Sequence, residues 1–266
     1  LRSPIAHGRI HSIDSRRALA VAGIHAVLTA DEIGDPIPRI PLRIEAQPSY
    51  QAFEQPVIAC GKVRYAGEPL AVVVADSAAL AEDVLELIDV EIDELPVVID
   101  CKQALAGDIF LFEESLSNHP LTMTGVKGEV EAVFKKAYYT RCESFSIHRH
   151  SAMPLEPRGI LAAWNGLAQT MTVYGAAKVT FHNKRTLAQL MKLPENAVTL
   201  IENDVGGGFG VRGEFYPEDF LIPFASHRLG QPVMWQEDRR EHMIATNHAR
   251  EAECELEIAC NQQGRI

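Results

Sequence analysis

The residues whose types and spacing could do chemistry lie in Ala197-Val-Thr-Leu-Ile-Glu-Asn-Asp-Val-Gly-Gly-Gly-Phe-Gly-Val-Arg-Gly-Glu214. Val198 to Ile201 reads as an apolar strand that runs into the loop Gly206-Gly207-Gly208-Phe209-Gly210. Without a Cβ, glycine reaches positive φ easily and leaves its main-chain N–H unshielded. Such a loop can approach an anionic or metal-oxo ligand closely, and Phe209 can wall that ligand in. The same letters also suit a tight strand-to-helix connection that binds nothing, and the loop alone leaves both readings standing.

A second pattern is nested in the first. Gly208-Phe-Gly210-Val-Arg-Gly213 satisfies G-x-G-x-x-G, and Glu237 follows the next strand where a ribose-binding acid would stand. Three features count against a dinucleotide site. The motif follows a long β-rich region instead of opening its domain, Glu214, Glu218 and Asp219 would repel a pyrophosphate, and Gly206 and Gly207 are superfluous to it. His148, His150, Glu156 and Arg158 are close enough in sequence for a proton shuttle or metal ligands. Their spacing fits no ligand pattern, and ordinary turn residues explain them as well. Asp238, Arg239, Arg240 and Glu241 read as a solvated or salt-bridged face, and His242 and His248 as isolated. No G-x-S-x-G elbow or P-loop occurs, so no nucleophile is visible.

The elements that must position the loop fit a chain of 266 residues, 47% hydrophobic and 23% charged, enough for two domains with their own cores. A net charge of -11 argues against general nucleic-acid binding, which needs clustered Lys and Arg. No apolar run approaches a membrane span, and no signal peptide is visible, although the chain opens on Leu1 without methionine, which leaves room for a removed leader. Cys60, Cys101, Cys142, Cys254 and Cys260 include no C-x-x-C pair, so no metal or iron–sulfur ligation is expected from them. They read as buried, reduced thiols of a cytoplasmic protein.

In chain order, Arg9 to Ile13 reads as a strand, Asp14 as the cap of a helix from Ser15 to Val21, and Ile24 to Leu28 as a second strand. Prolines 36, 38, 41, 48 and 56 predict an irregular excursion over residues 34–56. Leu70 to Ala75 reads as a strand buried on both faces, Asp76 as an N-cap, Ala78 to Ile88 as a helix and Val90 to Asp93 as a strand, together a β-α-β unit. Residues 101–124 lose periodicity and suggest an inter-domain linker. A helix over Glu129 to Ala137, with Val130, Val133 and Phe134 inward, precedes strands at Tyr138 to Ile147, Gly159 to Trp164 and Thr170 to Tyr174. A helix from Asn183 to Leu193 then leads into the loop strand. Glu214 to Leu229 has helical spacing with Pro217 in its first turn, and strands follow at Pro232 to Gln236 and Arg250 to Ala259.

Several of these stretches resemble a known family. Arg2-Ser-Pro-Ile-Ala-His-Gly-Arg-Ile-His-Ser-Ile-Asp14, Gly23-Ile-His-Ala-Val-Leu-Thr-Ala-Asp31 and Gly61-Lys-Val-Arg-Tyr-Ala-Gly-Glu-Pro-Leu-Ala-Val-Val-Val-Ala75 resemble the hammerhead domain of the xanthine dehydrogenase, aldehyde oxidase and carbon monoxide dehydrogenase large subunits. Gly128-Glu-Val-Glu-Ala-Val-Phe134, Met153-Pro-Leu-Glu-Pro-Arg-Gly159, Val205-Gly-Gly-Gly-Phe-Gly210 and Gly230-Gln-Pro-Val-Met-Trp-Gln-Glu-Asp-Arg-Arg-Glu241 resemble the start of the molybdopterin-binding region. The order of the pieces matches across essentially the whole chain. The resemblance implies an α+β protein, with a small α/β hammerhead domain at 1–104, a linker at 105–124 and the N-terminal part of a molybdopterin-binding domain at 125–266.

It further implies a component of a molybdenum hydroxylase. Such enzymes oxidise an aldehyde, N-heterocycle or similar small substrate with water as the oxygen source. The implied cofactor is molybdopterin, in dinucleotide form, with molybdenum. FAD and 2Fe-2S clusters would lie on a medium and a small partner subunit. Gly207, Gly208, Phe209, Gly210 and Lys178 are the implied cofactor contacts, with Arg212 and Glu214 near substrate. Two departures alter that picture. Gly175-Ala-Ala-Lys178 stands where many members carry a Ser-Thr-Gln stretch, and Val211-Arg212-Gly213-Glu214 displaces a carboxylate by one residue. The family's glutamate base has no counterpart here, so the chain reads as the N-terminal portion of a large subunit, inactive without the C-terminal part. A nicotinamide-dinucleotide oxidoreductase and a non-catalytic assembly module of the same fold remain the alternatives.

Overall fold

Alternation of polar and apolar residues gives strand β1 (Gly8–Asp14). The helix expected over Ser15 to Val21 is the one-turn α1 (Arg16–Leu19), whose N-cap is Ser15 and not Asp14, because Asp14 still belongs to the strand while its carboxylate accepts the Arg16 N–H at 3.0 Å. The computed structural model describes residues 1–43, 48–175 and 178–266. Their packing forms two compact units, Leu1–Val97 with Ser151–Asn247, and Val98–His150 with His248–Ile266. In the first unit, β2 (Ile24–Leu28) leads to α2 (Ala30–Ile33), which opens on a capping box: Thr29 Oγ1 accepts the Asp31 N–H, and the Glu32 carboxylate accepts the Thr29 N–H at 2.7 Å. The proline-rich excursion is not wholly irregular. Its described part holds β3 (Arg39–Ile40), a 3-10 turn at Pro48–Phe53 and β4 (Gln55–Pro56), which pairs with β3.

β5 (Lys62–Val63) and β6 (Val72–Ala75) follow, and Ser77, not Asp76, caps α3 (Ala78–Asp83). Ser77 is the last extended residue before the helix and accepts the Leu80 N–H, whereas the Asp76 carboxylate is taken by His25 at 2.7 Å. The expected longer helix ends early in a 3-10 turn, Val84–Leu87, before β7 (Asp89–Glu94). The β-α-β reading is corrected here. β6 pairs antiparallel with β2, while β7 joins the sheet β5-β1-β7, so the two strands belong to different sheets. Strands of like pattern have paired: alternating β7 with alternating β1, apolar β6 with apolar β2. In that two-stranded ribbon β6 is half-buried, not covered on both faces.

Between β5 and β6 the chain buries Glu68, whose Oε2 accepts the Arg64 N–H at 2.6 Å while Oε1 has no hydrogen-bond partner among the described residues. Burial outweighs that backbone bond and pushes the carboxyl up to about 7. An acid that binds its proton more tightly when folded stabilises the fold fully at low pH, and that contribution is lost as pH rises through about 7. Glu68→Gln keeps the neutral shape at every pH. Urea denaturation should therefore show wild type falling behind Glu68→Gln between pH 5 and pH 8; a pH-independent difference would contradict this assignment.

The second unit begins with α4 (Cys101–Ala106), capped by Asp100, which accepts the Gln103 N–H at 2.7 Å, and ended by Gly107 at φ +75°. The Asn118 side chain then ties the turn together, donating to Ile109 O at 2.6 Å and accepting the Leu111 N–H. α5 (Val130–Lys136) and β8 (Tyr139–Ile147) follow. Val130 and Val133, read as inward from their spacing, are exposed, and only Phe134 is half-buried on that face. Two turns of helix beside a two-stranded ribbon provide too little surface to cover three apolar side chains.

Back in the first unit, β9 (Gly159–Asn165), β10 (Thr170–Gly175), α6 (Thr180–Leu190) and β11 (Val198–Ile201) lead to the glycine loop. Past the loop come α7 (Pro217–Leu229), β12 (Val233–Gln236) and α8 (Arg239–Ala245). Finally β13 (Ala252–Cys260) returns to pair along the full length of β8. The sheet order is β11-β10-β9-β12, with β10 and β11 parallel across the α6 crossover and the other pairs antiparallel. Pro217 takes the first helical position of α7, where its missing N–H is harmless. α7 buries Phe220, Leu221 and Ala225 against Ile160, Ala162, Met171 and Val173. Leu28, Ile40, Val57 and Ile58 belong to the same core, so the largest core of the first unit draws on both of its lengths of chain. Two smaller clusters, around Val27 and Val84 and around Val63 and Leu70, lie wholly in the first length.

Candidate functional site

β11 ends at Ile201, and the loop that follows is held by a pair of side chains that converge on it. The Glu156 carboxylate accepts the Gly206 N–H at 2.6 Å, and the Glu156 N–H donates to Gly206 O at 3.3 Å. Arg212 donates from Nε to Gly207 O at 2.8 Å, and from one terminal nitrogen to Glu156 O, Pro157 O and the Glu156 carboxylate within 3.0 Å. Gly206 is required by this approach: a Cβ there would lie 2.5 Å from Glu156 Cβ. Gly207 and Gly210 take φ of +102° and +94°, and Phe209 itself is left-handed at +47°.

The residues expected at the site fall as follows. Among the described residues the N–H groups of Gly207, Gly208, Phe209 and Gly210 have no hydrogen-bond acceptor. The Phe209 ring is 77% exposed, and a Cβ on Gly208 or Gly210 would meet nothing within 4 Å. Lys178 is exposed, with its N–H on Arg212 O at 3.1 Å; Ala176 and Ala177, which precede it, lie outside the described residues. Glu214 is partly exposed 3.8 Å from Arg43, whose guanidinium also reaches Gly213 O. The Arg212 side chain is 2% exposed and committed to the loop. Four N–H donors without acceptors among the described residues, with open space beside Gly208 and Gly210 and a lysine on a neighbouring segment, fit an anionic group such as a pterin-bound metal.

Behind the loop lies a charge network that the sequence does not announce. Arg158 donates to the Glu237 carboxylate at 2.6 and 3.0 Å and to Glu218 at 3.1 Å, with its guanidinium 3.9 Å from the Tyr216 ring centre. Arg2 bridges Glu218 at 2.7 Å and Glu241 at 2.9 Å. His242, read as isolated, is fully buried, with one ring nitrogen 2.8 Å from Glu237 and the other 2.8 Å from Ala152 O. Of the polar run after Trp235, Asp238 and Glu241 form the capping box of α8, and Arg239 holds Pro154 O and Leu155 O at 2.9 Å. Burial pushes the Glu218 carboxyl up, but Arg158 and then Arg2 outweigh it and hold it down to about 2. At the start of α7 burial raises Asp219 to about 6 and Tyr216 to about 12.

The nested G-x-G-x-x-G does not form a dinucleotide fold. β12 after α7 pairs with β9, not with β11, and Glu237 is 2% exposed and occupied by Arg158 and His242. Glu156, Arg158 and His242 all had visible letters in the sequence, but their partners define their roles: Arg212 for Glu156, Glu218 and Glu237 for Arg158, and Glu237 with Ala152 O for His242. No cluster of three or more His, Cys, Asp or Glu suited to a metal occurs among the described residues.

A hammerhead-like first part packed on a mixed sheet with a braced glycine loop defines a molybdopterin-binding architecture. Residues 112–266 match the family described as "Molybdopterin cofactor-binding domain" and residues 1–96 the family described as "Aldehyde oxidase and xanthine dehydrogenase, a/b hammerhead domain", and the chain belongs to this family. It is 35% identical over 269 residues to the 6-hydroxypseudooxynicotine dehydrogenase complex subunit gamma of Paenarthrobacter nicotinovorans, covering 100% of this chain and 34% of that one. It is 34% identical over 280 residues to the carbon monoxide dehydrogenase large chain of Hydrogenophaga pseudoflava, again with 100% and 34% covered. The quinoline 2-oxidoreductase of Pseudomonas putida 86 superposes with a TM-score of 0.85 at 32% identity, over 98% of this chain and 33% of that one. The chain thus spans about a third of the length of the relatives it matches.

Proposed function

We propose that this chain forms the N-terminal part of the large subunit of a molybdenum hydroxylase. The observation that carries this reading is the row of N–H groups at residues 207–210, free of described acceptors and backed by Glu156 and Arg212. Gly207, Gly208, Phe209 and Gly210 would hold molybdopterin, in dinucleotide form, through these donors. The exposed Phe209 ring would exclude water, and Lys178 would add a cation on one side. When bound, the molybdenum group supplies the two-electron oxidation of the substrate carbon. Glu214, partly exposed four residues past the loop and 3.8 Å from Arg43, would stand near substrate. The substrate class is an aldehyde, N-heterocycle or similar small molecule, in keeping with relatives named for nicotine, quinoline and carbon monoxide.

Turnover is expected only with the C-terminal portion of the subunit, an FAD-binding medium subunit and an iron–sulfur small subunit present, in the cytoplasm. No helix among the described residues is long and apolar enough to cross a membrane. The boundary between the family domains is proposed to fall within the linker 105–124, which overlaps the unmatched residues between the stretches 1–96 and 112–266. A non-catalytic assembly module is the second reading, favoured by the cation Lys178 where many members carry a neutral donor. Molybdenum and pterin content separates the two, measured on the full-length subunit purified alone and with its co-expressed partners. Stoichiometric metal and pterin in the assembled complex supports the hydroxylase; their absence from both preparations leaves the assembly module.

A further inference from the structure

Three loop peptides have their carbonyls tied down from behind. Gly206 O accepts the Glu156 N–H, Gly207 O accepts Arg212 Nε, and Gly208 O accepts the Val211 N–H at 2.9 Å. These peptides are trans, and a planar trans peptide points its C=O and N–H in opposite directions. Each tie therefore turns the next residue's N–H away from it: Gly207 away from Glu156, Gly208 away from the Arg212 guanidinium, Phe209 away from Val211. The Glu156 carboxylate closes the device by taking the Gly206 N–H, which leaves that donor out of the outward row. Arg212 is the stronger half. It is buried, and its planar fork reaches Gly207 O, Glu156 O and Pro157 O together, which a lysine ammonium cannot reproduce from one stem. Glu156 is half-exposed, so its pairing with Arg212 is partly screened, and its weight lies in the hydrogen bond to Gly206.

We propose that Glu156 and Arg212 are positioning residues: they form a brace that presents the N–H groups of Gly207, Gly208 and Phe209 to an anionic cofactor, without touching it themselves. This rests on the molybdopterin reading for the identity of the anion, but the brace itself can be tested without it. The full-length subunit, assembled with its partners, is compared with Arg212→Lys, Glu156→Ala and Glu156→Gln. Amide hydrogen exchange is followed in the peptide spanning residues 203–213, and molybdenum and pterin are assayed in the same samples.

Exchange should rise about tenfold or more at the loop amides that have acceptors, Gly206, Val211 and Gly213, in Arg212→Lys and Glu156→Ala, as expected for loss of a charge-assisted hydrogen bond. Cofactor content should fall at least about threefold in both. Glu156→Gln still accepts the Gly206 N–H and should stay within about twofold of wild type in both readouts. Unchanged exchange in both disruptive variants overturns the brace. Faster exchange with wild-type cofactor content overturns its role in presenting donors. Wild type devoid of molybdenum and pterin overturns the cofactor reading instead, and the exchange data then decide the brace on their own.

Discussion

In the Arg158→Ala variant the protein should lose about 3–5 kcal/mol of stability, the range found when one partner of a buried ion pair is removed. The guanidinium is the only described group that joins Glu237 to Glu218, and it is packed between the rings of Tyr216 and Trp235 at 3.9 and 5.3 Å. Without it, Glu237 keeps His242 as its only side-chain partner among the described residues and Glu218 keeps only Arg2, while both carboxylates stay buried. Arg158→Lys retains a charge but not the fork, and should recover no more than about half of the loss. For a unit of this size each kcal/mol moves the melting temperature by roughly 2–4 °C, so thermal and urea denaturation both read the effect. A loss under about 1 kcal/mol would mean that the network is not the cross-link described above.

Gly67→Ala should be the second most damaging change, at about 3 kcal/mol, with Gly61→Ala as its control at about 1 kcal/mol. Both glycines sit at positive φ, +93° and +65°, so both substitutions strain the backbone. Only Gly67 is also crowded. A Cβ there would lie 2.7 Å from Ile244 O and 3.0 Å from its carbonyl carbon, main-chain atoms in α8 that cannot rotate aside. A Cβ on Gly61 would meet nothing within 4 Å. The Gly67 N–H donates to Ser3 O at 2.8 Å, and its carbonyl accepts from Arg2. Pushing α8 away therefore also loosens the Arg2 bridge to Glu241. Equal urea midpoints for the two variants would show that α8 yields freely, contrary to this packing.

Local order was legible wherever a residue's neighbours in sequence decide its state. The strand Val198–Ile201, the loop glycines, Pro217 at the first turn of α7 and the nine-residue strand before His148 follow from periodicity and backbone chemistry alone. What the letters concealed is long-range. Arg2 and Glu241 are 239 positions apart, and nothing in the run Glu237-Asp-Arg-Arg-Glu-His242 distinguishes the buried Glu237 and His242 from the exposed Asp238 and Arg240. Strand partners were hidden for the same reason: β6 and β7 flank one helix, yet each finds its mate in an earlier strand. Of the candidate site, the glycine loop was visible from its composition. The brace was not, because Glu156 and Arg212 meet across 56 residues.

The first unit is assembled from two lengths of chain, Leu1–Val97 and Ser151–Asn247, and this has a consequence for its biosynthesis. Leu28, Ile40, Val57 and Ile58 leave the ribosome long before Phe220, Leu221 and Val233, which share their core. At ordinary elongation rates that interval is on the order of 10–30 s, far longer than hydrophobic collapse takes. During it the early apolar residues have no native cover, so the nascent chain is a natural client for chaperones that hold unfolded segments. Slow codons after residue 97 would prolong that exposure, and fast ones would shorten it. The yield of folded subunit in a foreign host therefore depends on translation speed through residues 98–233 as much as on the stability of the finished fold.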